Sequence, residues 1–376
     1  MNQSSANRMW RVVLRIGLTA TLLLAACGTA PPTSLQQPDV AAEAIVLPTD
    51  AVPTIALPPS PSPASTAVST TAPSPSPIPT ADPPPPSSPA FPSPTPAAPI
   101  LPPVDPLPPP DLGFDGARAM QHVEAQMQWV PRDTGAPGWR ETGDYIVAEA
   151  QAAGWTVEEQ RFDYQGVSVR NIIAKRGSGP LLILGAHYDA RKYADQDPDP
   201  AKQRDPVPAA NDGASGVAAL LELARHIDAD RLGRTVWLAF FDAEDNGDLE
   251  GWEWTVGSTY MAQNLPTKAE AMVLLDMIGD ADLQIYYEQN STPGLRESIW
   301  QSAAELGYVQ FIATPKFAML DDHTPFLAQG IPAADLIDFD YPHWHTTADT
   351  TDKVSAASLE AVGRTIERWL ETRAQP

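Results

Sequence analysis

Apolar residues in the C-terminal part of the chain follow two spacings, one typical of helices and one typical of strands. Residues 155–164 and 167–175 alternate between polar and apolar positions and predict two strands joined at Gln165-Gly166. Because strands alternate with helices, we predict an α/β fold, a three-layer αβα sandwich with a mixed, mostly parallel central sheet. Uninterrupted apolar runs predict the buried strands 181–184, 235–241, 271–275 and 333–337. Helical spacing covers residues 114–129, 139–153, 215–227, 258–264, 293–306 and 355–372.

Residues 28–112 lack both spacings and are dominated by proline. This segment holds 28 of the 42 prolines, no lysine or arginine, and a single aromatic residue, Phe91. Such a composition cannot bury enough apolar surface to offset the entropy cost of ordering, so we predict a disordered linker. A ligand for proline-recognising modules is the alternative for this segment. Residues 113–376 remain as the folded domain, long enough for one sizeable core.

The N-terminus has the pattern of an export signal. Residues 1–15 are polar and basic, and residues 16–26 form an apolar run that is too short to span a bilayer. Small residues end this run directly before Cys27, the single cysteine, and the arrangement resembles the lipobox of bacterial lipoproteins. The resemblance implies a signal peptide over residues 1–27, lipidation of Cys27, and an extracytoplasmic protein anchored to a lipid bilayer at the cell surface or periplasmic face. An ordinary secretory signal with an incidental cysteine is the alternative.

The charge of the chain argues against one class of partner. The formal net charge is −23, and residues 113–376 carry −20 of it, from 21 basic and 41 acidic residues. Contacts to nucleic-acid phosphates need clustered cations, so we expect no nucleic-acid partner. A soluble, acid-rich surface accounts for most of these carboxylates.

Histidines and carboxylates occur in five groups, of which four directly follow a predicted core strand or open a long helix and the fifth lies near the C-terminus. Strands of a parallel sheet end at one edge, where carboxylates repel one another unless a cation neutralises them. Two imidazoles and several carboxylates suit Zn²⁺. Outside these groups, His122 lies on the first predicted helix and is expected at the surface. The gathered side chains are His187, Asp189, Asp212, Glu244, Asp245, Asp276, His345 and Asp349.

As a set, these groups resemble the motifs of a known family. Their order and spacing are similar to those of metallopeptidase family 28, the zinc exopeptidases that include bacterial aminopeptidases and the animal glutaminyl cyclases. The resemblance covers residues 131–370 and implies a zinc-exopeptidase-like catalytic domain that acts on peptides. The motifs are His-x-Asp from His187, Asn-Asp-Gly-Ala-Ser-Gly over 211–216, Ala-Glu-Asp over 243–245, Leu-Asp-Met-Ile-Gly over 275–279 and His-Thr-x-x-Asp-Thr from His345.

The resemblance implies a set of metal ligands. His187 and Asp276 would hold one zinc ion, and Asp245 and His345 would hold a second. Asp212 would bridge the two ions. Asp245 stands where most family members carry Glu, and its side chain is one methylene shorter but remains a competent oxygen ligand.

The resemblance also implies residues that act beside the ligands. Asp189 would accept the second ring N–H of His187, and Asp349 would do something similar for His345. Glu244 would be the general base that takes a proton from metal-activated water and passes it to the leaving amine. Adjacent side chains on an extended strand point in opposite directions, so Glu244 can differ in role from its neighbour only where the backbone turns. The following Asn246-Gly247 permits such a turn.

Some features lean towards the glutaminyl cyclases of this family. Trp344 precedes the last ligand histidine, where several peptidases carry Tyr. Residues 321–327 are very like the cyclase pattern, which implies that Asp322 and His323 belong to the site, His323 as a positioning residue rather than a ligand. An insertion over 246–256 adds two tryptophans that would either line a small pocket for a glutamine side chain or simply pack a loop.

One feature favours the peptidases of this family. Residues 211–216 match the two-metal peptidases, whereas the cyclases diverge after the aspartate that corresponds to Asp212. The sequence alone therefore favours a zinc-dependent aminopeptidase that hydrolyses N-terminal residues with two zinc ions. The alternative is a glutaminyl-peptide cyclotransferase with a single zinc ion. A third possibility, a non-catalytic binding module, is opposed by the retention of Glu244 and of every ligand position.

Overall fold

The computed structural model describes residues 112–374 of the chain. The predicted signal peptide 1–27, its lipidation site Cys27 and the predicted linker up to residue 111 lie outside these residues and stay predictions. Leu112, which we assigned to the linker, is buried, so the folded domain includes at least one residue more than we predicted. Among the described residues, no helix combines the length and the hydropathy that crossing a membrane requires.

The helices of the described region agree with the predicted ones to within a few residues, with two additions. We did not predict α4 and α7, because four and five residues are too few for helical periodicity to show. Short 3-10 turns cover Met127–Trp129 and Thr351–Lys353. The helices are α1 (Gly116–Gln126), α2 (Pro137–Ala152), α3 (Ala214–Leu223), α4 (Ala229–Leu232), α5 (Val256–Gln263), α6 (Pro293–Leu306), α7 (Thr324–Ala328) and α8 (Ala356–Glu371).

Six strands form the central sheet in the order β1-β2-β4-β3-β5-β8. The pairs β4–β3, β3–β5 and β5–β8 are parallel, whereas β1–β2 and β2–β4 are antiparallel, so the prediction of a mixed, mostly parallel sheet is confirmed. Two further strands, which we did not predict, pair with each other outside it. The strands are β1 (Thr156–Tyr164), β2 (Val167–Gly177), β3 (Leu181–His187), β4 (Thr235–Phe241), β5 (Ala271–Asp276), β6 (Ile285–Tyr287), β7 (Phe311–Pro315) and β8 (Ala333–Ile337).

Both faces of the sheet are covered, which confirms the three-layer architecture. Leu182 and Leu184 of β3 belong to a large apolar cluster that also contains side chains of α1, α3, α6 and α8. Leu181 and Ile183 point to the opposite face, into a smaller cluster with side chains of α5 and α7. Residues of one strand therefore alternate between two cores, which explains why β3 carries no polar side chain before its last residue, His187.

The parallel strands β3, β4 and β5 end at the same edge of the sheet, and the candidate site lies there. His187 is the last residue of β3 and pairs in register with Phe241, the last residue of β4. Asp276 is the last residue of β5. This edge matches the position at which open α/β sheets bind their ligands.

His122 is buried, and our prediction of a surface position for it was wrong. α1 packs between other helices, and the His122 side chain is only 8% exposed. Its Nδ1 atom lies 2.6 Å from the hydroxyl of Tyr145 on α2. Burial, helped by the charges of Arg225 and Arg118, lowers the pKa of His122 to about 4.

Candidate metal centre

The five predicted metal ligands come together at the sheet edge in two overlapping sets. His187 Nε2 lies 3.1 Å from Asp212 Oδ1 and 3.1 Å from Asp276 Oδ1. His345 Nε2 lies 2.9 Å from Asp245 Oδ1 and 3.6 Å from Asp212 Oδ2. Asp212 belongs to both sets, and all five side chains are buried.

Two oxygen atoms of these ligands are left without a hydrogen-bond donor. The Oδ2 atoms of Asp245 and Asp212 are buried and have no hydrogen-bond partner among the described residues. Buried carboxylates are costly unless a donor or a cation compensates them. The oxygen and imidazole nitrogen donors are the ligand types that Zn²⁺ takes. The residues present therefore fit zinc.

The charges of the site act on the protonation of His345. Burial alone would lower the pKa of His345, but the neighbouring carboxylates of Asp245 and Asp195 raise it to about 9. Without a metal, the ring is therefore protonated at neutral pH. A zinc ion bound by its Nε2 atom would displace that proton.

Asp212 is placed by a loop that approaches β3 closely. A side chain at Gly213 would bring its Cβ within 2.5 Å of the carbonyl oxygen of His187, so only glycine fits there. Gly216, one turn into α3, is similarly restricted, because a Cβ there would lie 2.1 Å from the carbonyl oxygen of Leu275. The two glycines explain why the motif over residues 211–216 accompanies the ligand.

Residues with left-handed backbone conformations orient three of the segments that carry metal ligands. Ala243, Met277 and His345 have φ angles of 57°, 45° and 54°. Residues other than glycine rarely adopt this region, and strained backbone of this kind clusters at functional sites. The turn that separates Glu244 from Asp245 thus begins at Ala243, one residue before the pair, and not only at Asn246-Gly247 as the sequence indicated.

Asp189 connects two of the ligand-bearing segments. Its Oδ1 atom accepts the backbone N–H of Glu244 at 3.1 Å, and its Oδ2 atom accepts that of Asp245 at 3.2 Å. His187 Nδ1 lies 3.6 Å from Asp189 Oδ1, slightly beyond a normal hydrogen bond. Asp189 therefore lies beside His187, as the resemblance implied, and also holds the segment with Glu244.

Asp349 holds a different ligand from the one that the sequence implied. Its Oδ1 atom accepts the backbone N–H of Asn211 at 2.9 Å and the Tyr341 hydroxyl at 2.7 Å, and its Oδ2 atom accepts the N–H of Asp212 at 3.1 Å. Asp349 thus fixes the loop of Asp212, and the implied contact with His345 was wrong. The carboxylate nearest to His345 Nδ1 is Asp195, with its Oδ1 atom 3.5 Å away.

Arg132 and Arg191 support the site, and the sequence analysis missed both. Arg132 is fully buried and donates to the carbonyl oxygens of Tyr188 and Ala209, each at 2.7 Å, which ties the two ligand loops together. Arg191 binds the carboxylate of Asp195 with N–O distances of 3.0 Å. Neither arginine belongs to a motif, so only the tertiary contacts identify them.

A cavity of about 170 Å³ opens beside the ligands. The carboxylates of Glu244, Asp276 and Asp321 are part of its lining. The Trp344 ring stacks on His345 at 3.8 Å between centroids, and the Trp254 ring lies parallel to His345 at 6.1 Å. Apolar side chains complete the lining: Met277, Met319, Leu320, Ile337 and Phe339. Trp252 packs against Tyr164 instead, outside this cavity.

Glu244 is nearly inaccessible and lies among negative charges. Burial, reinforced by the carboxylates of Asp321 and Asp322, raises the pKa of Glu244 well above that of a free glutamate, although His187 opposes the shift. Its side chain is 7% exposed and faces the cavity. A bound dication would lower this pKa again and let the group exchange a proton.

Asp322 and His323 are buried behind the cavity, and Asp321 is the residue of this segment that lines it. His323 Nε2 lies 3.3 Å from Glu288 Oε2, and its Nδ1 atom lies 3.6 Å from Asp335 Oδ2. His323 is therefore enclosed by carboxylates rather than facing a substrate. The sequence analysis named Asp322 for the site, whereas its neighbour Asp321 is the aspartate that lines the cavity.

Known proteins match this chain in sequence and in fold. The sequence profile of peptidase family M28 matches residues 171–370. The crystal structure of Porphyromonas gingivalis glutaminyl cyclase aligns with a TM-score of 0.66 and 35% identity, over 69% of this chain and 99% of that one. A zinc-dependent exopeptidase from Parabacteroides distasonis aligns with a TM-score of 0.65 and 33% identity, over 70% of this chain and 99% of that one. The uncharacterised protein YfbL of Escherichia coli K12 is 34% identical over 155 residues, which span 41% of this chain and only 43% of that relative.

Proposed function

The chain belongs to peptidase family M28, and we propose on this premise that it is a zinc-dependent glutaminyl-peptide cyclotransferase. Such an enzyme closes the N-terminal glutamine of a peptide into a five-membered lactam and releases ammonia. The observation that carries the proposal is the small cavity that is lined both by Trp254, Trp344 and Phe339 and by carboxylates. The similarity to glutaminyl cyclases of known structure supports it.

The size and lining of the cavity suit one glutamine residue. Pockets for drug-sized ligands measure roughly 300–1,000 Å³, so a cavity of about 170 Å³ takes a single side chain. The indole rings would pack against the methylene groups of glutamine. The carboxylates of Asp276 and Asp321 would accept hydrogen bonds from its nitrogen atoms.

Glu244 is the residue that would move the proton. The α-amino nitrogen of the substrate attacks the γ-carboxamide carbon, so one C–N bond forms within the peptide while the bond to the side-chain nitrogen breaks. Glu244 would accept a proton from the attacking nitrogen and deliver it to the departing one, which leaves as ammonia. No water is consumed in this reaction.

Asp212, Asp245 and His345 would hold a zinc ion next to this cavity, and His187, Asp212 and Asp276 form a second set. Zinc bound there would act as a Lewis acid that polarises the carbonyl group of the substrate. The protein's own contribution is to fix the ligands. Asp189 and Asp349 do so through backbone N–H groups.

A zinc aminopeptidase is the second candidate, and one observation favours it. Both ligand sets are complete and share Asp212, as a two-metal hydrolase requires. The zinc-dependent exopeptidase among the structural relatives supports this candidate. In that reaction Glu244 would take its proton from a water molecule instead of from the substrate's amine.

Product analysis separates the two reactions. The zinc-loaded protein is incubated with peptides that differ only in their N-terminal residue, one of which is Gln, and the products are weighed by mass spectrometry. Loss of one ammonia from the Gln peptide alone is expected, whereas loss of the terminal residue would establish the aminopeptidase. If neither product forms with zinc bound, both candidates fail and a binding module is favoured.

A variant tests the role of Glu244 in either reaction. Glu244→Gln should lower turnover about 10²–10⁴-fold, the usual contribution of general acid–base catalysis, while zinc stays bound. The matched control is Glu124→Gln on the exposed face of α1, which should keep the wild-type rate. A near-normal rate for Glu244→Gln would show that another group transfers the proton.

We also propose that Cys27 carries a lipid and that the enzyme works outside the cytoplasm on secreted or imported peptides. The apolar run before Cys27 supports this proposal.

A further inference from the structure

A second cavity lies directly beside the first, on the other side of Trp254. Its volume is about 330 Å³, and Trp254 lines both cavities. We call this second cavity the aromatic groove. It is lined mainly by Phe162, Tyr164, Glu253, Trp254, Val256 and Tyr260.

The aromatic groove lies beside a pair of stacked rings that connects β1 to α5. The rings of Phe162 on β1 and Tyr260 on α5 stack with their centroids 3.9 Å apart and 7° between their planes. β1 is the edge strand of the six-stranded sheet. An edge strand can pair with an extended peptide through its backbone groups while side chains enter neighbouring pockets.

Trp254 is a fixed partition between the two cavities. The guanidinium of Arg191 lies 4.8 Å from the centre of its ring, and its Nε1 atom donates to Asp248 Oδ2 at 3.3 Å. A Cβ at Gly247 would come within 2.0 Å of the indole, so the absence of a side chain there makes room for it. The aromatic groove is therefore present before a substrate arrives.

The charges of the aromatic groove favour a cation. Asp163 and Glu253 are exposed at its edge, and none of the described residues that line it is basic. Aromatic rings and carboxylates together suit an apolar or aromatic side chain followed by Lys or Arg. An acidic peptide would meet two like charges.

We propose that the aromatic groove binds the third and fourth residues of the peptide substrate and selects an aromatic residue followed by a basic one. This inference rests on the proposed function, which places the N-terminal residue in the first cavity. An extended chain advances about 3.3 Å per residue, so it passes the single side chain of Trp254 within about two to three residues. Because Trp254 lines both cavities, a peptide that starts in the first cavity and passes Trp254 would place these residues in the aromatic groove.

The test compares peptides of different length on the full-length, zinc-loaded protein. The substrates are the amides of Gln-Ala, Gln-Ala-Phe-Lys and Gln-Ala-Gly-Glu, and ammonia release gives kcat/KM for each. Gln-Ala-Phe-Lys should exceed Gln-Ala about tenfold, mainly through a lower KM, because one well-placed apolar group contributes about that factor. Gln-Ala-Gly-Glu should show no gain over Gln-Ala.

Variants assign this gain to the aromatic groove. Tyr260→Ala and Glu253→Gln should reduce the gain while Gln-Ala turns over within twofold of the wild-type rate. Tyr260→Phe keeps the stacked ring and should keep the gain. The control Glu297→Gln, on the exposed face of α6, should change nothing. Equal kcat/KM for all three peptides, or variants that slow every peptide alike, would overturn the inference.

Failure of the proposed function gives a different result. If the zinc-loaded protein turns over none of the peptides, the function is wrong, and calorimetry with the same three peptides then tests the aromatic groove. Tighter binding of Gln-Ala-Phe-Lys would support the inference without turnover. Equal affinities would overturn it.

Discussion

His122 should make the stability of the domain depend on pH. Its pKa is about 4 in the folded protein and about 6.5 in an unfolded chain. Between these two values the unfolded chain binds a proton that the folded protein does not bind. The contribution of His122 to the free energy of unfolding is therefore complete above pH 6.5. It is lost as the pH drops towards 4.

The size of this effect follows from the shift. A pH of 5 is about 1.5 units below the pKa of His122 in the unfolded chain, so the unfolded side chain is protonated. The folded side chain is still mainly neutral at this pH. One pH unit corresponds to about 1.4 kcal/mol, so lowering the pH from 7 to 5 should cost about 2 kcal/mol through His122 alone. For a marginally stable domain this is a measurable fraction of its stability.

The assay is urea unfolding at pH 7 and pH 5 for wild type and for His122→Asn. Asparagine keeps an acceptor for the Tyr145 hydroxyl but does not titrate. The drop in the free energy of unfolding from pH 7 to pH 5 should therefore be about 2 kcal/mol smaller in the variant than in wild type. Arg225→Gln removes a charge that lowers the pKa of His122 and should make the pH dependence shallower. Identical pH dependence in wild type and His122→Asn would refute the reasoning.

Three further predictions concern the metal and the anchor. Asp349→Asn should weaken zinc binding about 10–100-fold, because Asp349 holds the Asp212 loop. Competition with a chromophoric chelator measures the zinc affinity. An unchanged affinity would count against this role of Asp349. Removing zinc with EDTA should lower the Tm, since a ligand present at 100 times its Kd adds about 2.7 kcal/mol to the free energy of unfolding. A calorimetric scan that shows no shift in Tm would contradict zinc binding. Cys27→Ser should move the protein from the membrane fraction to the soluble fraction, and a variant that stays with the membrane would rule out the lipid anchor.

Much of the fold could be predicted because its elements have long, regular patterns. β4, α6 and β8 have the predicted bounds, since an apolar strand between turn residues or a helix that starts at Pro293 is marked at both ends. β6, with three residues, carries too few positions for alternation to show. Short elements of this kind depend on tertiary contacts rather than on their own sequence.

The candidate ligands could be predicted because each lies in a recognisable motif, and all but His345 lie at the end of a core strand or near the start of a helix. Asp195 and Arg132 could not, because their roles depend on loops that meet only in the folded chain. The misassignment of Asp349 has the same origin. Its closeness to His345 in sequence suggested a contact, but a loop from elsewhere in the chain lies nearer to its carboxylate.

Because Asp212 belongs to both ligand sets, the two candidate zinc positions cannot be independent. An ion held by the set with His187 would neutralise part of the negative charge of the Asp212 carboxylate, which the set with His345 also needs. Each ion would then weaken the binding of the other, and by the same factor in both directions. Zinc supply, and not the fold alone, would decide how many ions a molecule carries, and a metal titration would show two separate affinities instead of one.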